Sequence, residues 1–169
     1  MSDRESAITQ QIPRLRRYAR ALVGDRSAAD DLVQDTLERG LSRFHLWRQG
    51  SDLRAWLFTI MHNIFVNQAR SRARRYHESI ETDPEAGALR APEPDWLELR
   101  DIASALARLP QEQRAVVLLV GLEQFTYDEA AQVLGVPIGT VMSRLSRARE
   151  RLRALLGGDV KAASLKVVK

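Results

Sequence analysis

The stretch FTYDEAAQVLGVPIGTVMSRLSRAR, Phe125 to Arg149, decides how the rest of the chain is read. Thr126 and Glu129 have the T-x-x-E spacing of a capping box, in which a hydroxyl and a carboxylate each satisfy a free N–H at a helix start. A short helix therefore begins there. Ala130 and Ala131 keep one side of it small, so a second helix can come close. Gly135 supplies a residue for which positive φ carries little strain. Pro137 stops the first helix and pre-sets the start of the next. In that next helix Val141, Leu145, Ala148, Leu152 and Leu155 recur at intervals of four and three, the spacing of one buried stripe. Thr140, Ser143, Arg144, Arg147 and Arg151 occupy the other faces. Two helices hinged at a glycine, the second one basic, have the form of a helix-turn-helix whose second helix fits the DNA major groove. An ordinary helical hairpin with a basic outer face is the plainer alternative. The cap, the alanine pair, the glycine and the stripe together weigh against it.

Composition agrees with helices throughout. The 169 residues are rich in Ala, Leu, Arg, Glu and Gln, and hold only 9 Gly and 6 Pro, which favours an all-α protein. With no cysteine, disulfides and thiolate zinc sites are excluded. No apolar run approaches the ~20 residues of a membrane span, and the opening Met1 to Glu5 lacks the layout of a signal peptide. The expectation is a cytoplasmic protein with no direct membrane insertion.

Charge is segregated along the chain. Residues 1–77 hold 14 Arg against 8 Asp and Glu, residues 78–95 hold six acids and one Arg, and residues 96–169 hold 11 Lys and Arg against 8 acids. Two basic blocks flanking an acidic one suggest a polyanionic partner. The acidic segment, ESIETDPEAGALRAPEPD, has three prolines and few large apolar residues, and reads as a flexible linker. It divides the chain into two small helical domains, 8–77 and 96–157, with a flexible N-terminus at 1–7 and a loose tail at 158–169.

In the first domain Ile12, Leu15, Ala19 and Leu22 predict a helix ending near Gly24, with Pro13 in its first turn. Ser27 and Asp30 resemble a capping box for a second helix running toward Phe44. After Gln49-Gly50-Ser51, LRAWLFTIMHNIFVNQARSRARR predicts a long third helix burying Trp56, Leu57, Ile60, Ile64 and Phe65. In the second domain, helices over Trp96–Leu109 and Gln111–Leu122 precede the hinged pair.

At VPIGTVMSRLSRARERL the chain closely resembles the −35 reading region of extracytoplasmic-function (ECF) sigma factors of the sigma-70 family. ADDLVQDTLERGLSRF is similar to that family's polymerase-binding helix, and LRAWLFTIMHNIFVNQARSRARR to its −10 recognition segment. LARLPQEQRAVVLLVGLEQFTYDEAAQVLGV is similar to the helices leading into the −35 motif. The resemblance implies sigma-2-like and sigma-4-like domains that bind core RNA polymerase and promoter DNA, under control of an anti-sigma factor. It implies −35 contacts from Thr126, Tyr127, Thr140, Met142, Ser143, Arg144, Arg147 and Arg151. For the −10 element it implies Phe44 and Asn63, with Arg70, Arg72, Arg74 and Arg75 along the strand. An aromatic can stack on an unpaired base and an amide can bond its edge, although Phe44 could equally be a core aromatic. Asp31, Gln34, Asp35 and Arg39 would meet the polymerase. Met142 departs from the family pattern, which has Lys or Arg there, and could exchange a cation for contact with a thymine methyl.

Two other functions compete. A stand-alone helix-turn-helix regulator would bind duplex DNA tightly without polymerase. A metal-dependent nuclease could use Asp30, Asp31 and Asp35, but those carboxylates share one helix, and His45, His62 and His77 form no HExxH motif. The expectation is no enzyme, no catalytic residue, no metal and no cofactor.

Overall fold

Ser2 opens the first helix, α1 (Asp3–Thr9), with a capping box. Its hydroxyl accepts from the Glu5 N–H, and the Glu5 carboxylate accepts from the Ser2 N–H. The segment expected to be a flexible N-terminus is helical from Asp3, because S-x-x-E satisfies two amides locally. The computed structural model describes residues 2–78 and 97–157. The expected linker, apart from Glu78 at its start, and the expected tail at 158–169 lie outside the described residues.

Helix α2 (Ile12–Val23) carries Pro13 in its first turn and ends on Gly24, whose φ of 81° suits glycine. Helix α3 (Arg26–Ser42) starts at Asp25, whose carboxylate accepts from the Ala28 N–H at 3.0 Å. Ser27 is not the cap, because the chain leaves Gly24 extended at Asp25 and is already helical at Arg26. Asp30 instead faces Arg16 and Arg20, at 4.0 and 3.9 Å. Helix α4 (Leu53–Glu78) begins where the Asp52 side chain accepts from the Arg54 and Ala55 N–H groups. The helices α2, α3 and α4 pack in sequence. Gly40 lets α3 and α4 close up, since a Cβ there would stand 2.9 Å from Leu57 Cδ2.

The second unit comprises α5 (Leu97–Ala107), α6 (Gln111–Val117), α7 (Tyr127–Leu134) and α8 (Ile138–Leu155). Helix α6 does not run on regularly to Leu122 as expected. Leu118–Leu122 forms a π-helical turn, in which the Glu123 N–H donates to the Leu118 carbonyl at 3.0 Å. Gln124 follows at φ 59°. The widened turn carries Glu123 and Phe125 toward the first unit, and such turns cluster at functional positions.

The two units share one core. Helix α4 packs on α7, and α2 packs on α5, α6 and the π turn. Tyr18 meets Phe58 edge-on at 5.1 Å, and Phe58 meets Phe125 edge-on at 5.2 Å, so an aromatic ladder crosses the boundary. Double coverage of α4 explains why Phe58 and Met61 are buried as deeply as the expected Leu57, while Trp56 is only partly covered. Among the described residues there is no strand, and no helix is long and apolar enough to cross a membrane.

Candidate nucleic-acid interface

The hinge between α7 and α8 is built as its sequence prescribes. The Glu129 N–H donates to Thr126 Oγ1 at 3.2 Å, and the Thr126 N–H donates to Glu129 Oε1 at 3.4 Å. Gly135 closes α7 at φ 64°. Val141, Leu145, Ala148 and Leu152 are buried, and α8 packs on α6 and α7 with that stripe inward. Consequently Met142, Ser143, Arg147 and Arg151 are exposed together. Thr140, Tyr127 and Arg144 are half-buried, Arg144 reaching Glu112 at 3.8 Å, and the Thr126 hydroxyl is engaged in the cap.

Asn63 is exposed on α4 at a cleft of about 840 Å³ between the two units. Arg39, Arg43 and Arg70 line it from the first unit, and Arg144 and Glu112 from the second. His62 lies in its wall, and burial, reinforced by the nearby Arg144 charge, pushes its pKa down to about 4. The imidazole is therefore neutral at pH 7, and its Nδ1 is buried without a hydrogen-bond partner. The wall from the first unit is basic and attracts anions, while on the opposite wall Arg144 is paired with Glu112.

The other −10 candidates divide. Phe44, in a short 3₁₀ turn (Phe44–Leu46), is half-buried and packs on Trp47 and Trp56, with centroids 5.2 and 6.2 Å away. The Arg4 guanidinium sits 5.4 Å above its ring. It belongs to this aromatic cluster and does not line the cleft with Asn63. Arg72 and Arg75 border a smaller groove with Asp35, Arg39 and Gln68, while Arg74 is exposed on α4. Asp31, Gln34, Asp35 and Arg39 are exposed on α3. Gln34 donates to Glu38 at 3.3 Å, and Asp35 accepts from Gln68 at 3.4 Å.

Sequence reasoning missed the residues of the seam between the units. Arg114 is 4% exposed and donates to four carbonyls, those of Leu106, Ala107 and Leu109 at the end of α5 and that of Leu22 in α2. Burial lowers its pKa from the ordinary arginine value. The C-terminal dipoles of two helices stabilise the cation in place of a carboxylate. A lone arginine inside the apolar run QEQRAVVLLV was the available signal.

Comparison with known proteins matches residues 8–62 to the family model described as the Sigma2 domain of PhyR, and residues 99–152 to the model described as Sigma-70, region 4. The ECF RNA polymerase sigma factor EcfG of Rhodopseudomonas palustris (strain TIE-1) is 40% identical over 159 residues, covering 90% of this chain and 84% of the relative. Among solved structures, the sigma factor RpoE of Bartonella quintana in complex with the anti-sigma factor NepR matches with a TM-score of 0.82 and 38% identity, over 94% of this chain and 99% of that one. CnrH in complex with the cytosolic domain of CnrY matches with a TM-score of 0.66 and 29% identity, over 93% of this chain and 92% of that one.

Proposed function

The chain belongs to the ECF RNA polymerase sigma factors of the sigma-70 family, and from that membership we propose how its residues divide the work. It directs core RNA polymerase to promoters by reading −10 and −35 elements and aiding strand opening. The α8 face of Met142, Ser143, Arg147 and Arg151 enters the −35 major groove, with Thr126, Tyr127, Thr140 and Arg144 at its flank. Asn63 takes a base of the opened −10 strand, Arg70, Arg72, Arg74 and Arg75 follow its phosphates, and Phe44 supports the segment from its aromatic cluster. Asp31, Gln34, Asp35 and Arg39 dock on polymerase. The chain acts by binding, not catalysis, in the cytoplasm, and an anti-sigma factor restrains it, as NepR and CnrY partner the similar RpoE and CnrH.

One observation carries this reading: the buried stripe of α8 packs within its own unit, and Met142, Ser143, Arg147 and Arg151 are left exposed together on its outer face. A gel-shift on a cognate promoter tests it. Binding is expected with core polymerase present and weak without it; tight operator binding by the chain alone would instead favour a stand-alone regulator.

A further inference from the structure

We propose that Ile138 and Met142 make the first two turns of α8 a reader of C5 methyl groups, so that the chain selects thymine at the −35 positions they face. This selectivity rests on the sigma-factor reading above and supplies the chemistry by which the helix tells one base from another.

Two apolar side chains stand where a recognition helix meets its bases. Ile138 is the first residue of α8 and Met142 follows one turn later, so both lie on one side of the helix. Ile138 is 39% exposed and Met142 49% exposed, although Val141 and Leu145 beside them are buried. The entry to the helix explains this. Pro137 precedes α8 in extended conformation, at ψ 150°, and the stripe that packs on α6 and α7 begins only at Val141.

Polar groups of the same two turns are engaged elsewhere. The Ser143 hydroxyl donates to the Thr140 carbonyl at 3.1 Å, so its proton is used within the helix. Arg144 is half-buried and leans toward Glu112 at 3.8 Å. The first exposed arginine of α8 is Arg147, in the third turn. Gly139 sits beside the apolar pair, and a Cβ there would meet nothing within 4 Å. Neither a left-handed backbone nor a crowded neighbour requires glycine at this position. Its effect is to leave the helix surface low next to Ile138 and Met142, where another molecule can come close.

Apolar side chains cannot read the donors and acceptors of a base edge. In the major groove only thymine carries an apolar group, its C5 methyl. Early residues of a recognition helix reach base edges, whereas cations reach phosphates. The order along α8, apolar and then basic, matches that division. Met142 is unbranched and adapts its shape, while the stiff, β-branched Ile138 fixes one edge of the contact. A 5-methylcytosine presents the same methyl and should be preferred to cytosine.

Holoenzyme assembled from the full chain and core polymerase is titrated with promoter DNA whose −35 thymines are replaced by deoxyuridine, which pairs alike and lacks only the methyl. Affinity is expected to fall about fourfold for each contacted methyl. Cytosine at a contacted position should weaken binding, and 5-methylcytosine there should recover about fourfold. The double variant Ile138→Ala, Met142→Ala should bind thymine and deoxyuridine DNA alike. Equal affinity of the unmodified chain for the two DNAs would overturn the proposal. So would a deoxyuridine loss that persists undiminished in the double variant, because the methyls would then act through duplex shape or another residue. If the double variant loses helicity, Met142→Ala alone decides, because that half-exposed side chain lies outside the buried stripe. Transcription from the thymine promoter, run on the same samples, separates the two ideas. Transcription with no methyl preference removes the methyl reading alone; absence of promoter-directed transcription removes the sigma-factor reading and the methyl reading with it.

Discussion

Helices α4 and α8 are both long and rich in arginine, yet they are held in opposite ways. Helix α8 buries one stripe, Val141, Leu145, Ala148 and Leu152, against its own unit and leaves Met142, Ser143, Arg147 and Arg151 exposed. Helix α4 is covered by α3 on one side and by α7 of the other unit on another, so Leu57, Phe58, Ile60, Met61, Ile64 and Phe65 are all buried. A helix packed along one side advertises its face through periodicity; a helix packed along two sides has no single apolar face to advertise. The difference also matters for function. The reading face of α8 is accessible now, whereas the part of α4 that carries Asn63 borders a cleft that the second unit helps to form.

The sharpest way to break this contrast is at the shared core. Phe125→Ala should cost about 3–5 kcal/mol and reduce hydrogen-exchange protection in α4 as well as in the second unit, because Phe125 packs on Phe58. Leu145→Ala, in the private stripe of α8, should destabilise the second unit and leave α4 protection unchanged. If both variants exposed α4 equally, the distinction between private and shared burial would be lost.

Arg114→Met comes next, at about 3 kcal/mol by chemical denaturation, since four carbonyls lose their donor. Arg114→Lys should recover only part of that loss, because an ammonium cannot spread over four acceptors as a guanidinium fork does.

A smaller effect is expected from pH, where α4 meets α8. His62 titrates near 4 when folded and at the ordinary 6.5 when unfolded. Between those values the unfolded chain binds more protons, so this contribution is complete above pH 6.5 and is lost as pH falls toward 4. By pH 5 the loss amounts to about 2 kcal/mol at most. Thermal unfolding from pH 7 to 5 should show a steeper loss in the native chain than in His62→Gln; identical slopes would place the imidazole in water.

The smallest effect belongs to the open face of α8. Arg147→Ala should leave stability within about 0.5 kcal/mol and lower the salt slope of promoter binding by about one. An unaltered slope with full affinity would move the phosphate contacts elsewhere on the helix.

How much was legible follows from the same contrast. The hinge of α7 and α8 was readable because its determinants are local: the Thr126–Glu129 box, Gly135, and a stripe whose partners lie nearby in the chain. At the N-terminal helix, Ser2 and Glu5 carry the same kind of local signal. At the start of α3, Ser27 and Asp30 have cap-like spacing but Asp25 holds the cap. Trp56 was expected in the core because period alone cannot tell which side of α4 meets a second unit.

By itself, the sequence determined the all-helical class, the two-unit division, the helix-turn-helix and the family. These depend on capping chemistry, on spacing at 3.6 residues per turn, and on charge segregated along the chain. Only the tertiary structure decided that the units share a core, that α6 ends in a π turn, that Arg17 and Arg54 meet Glu123, and that Arg114 reaches the Leu22 carbonyl. The Arg17–Glu123 bond joins positions 106 residues apart, and the Arg114–Leu22 bond positions 92 apart. No local pattern encodes pairs so distant, because their geometry exists only after both units have folded and closed.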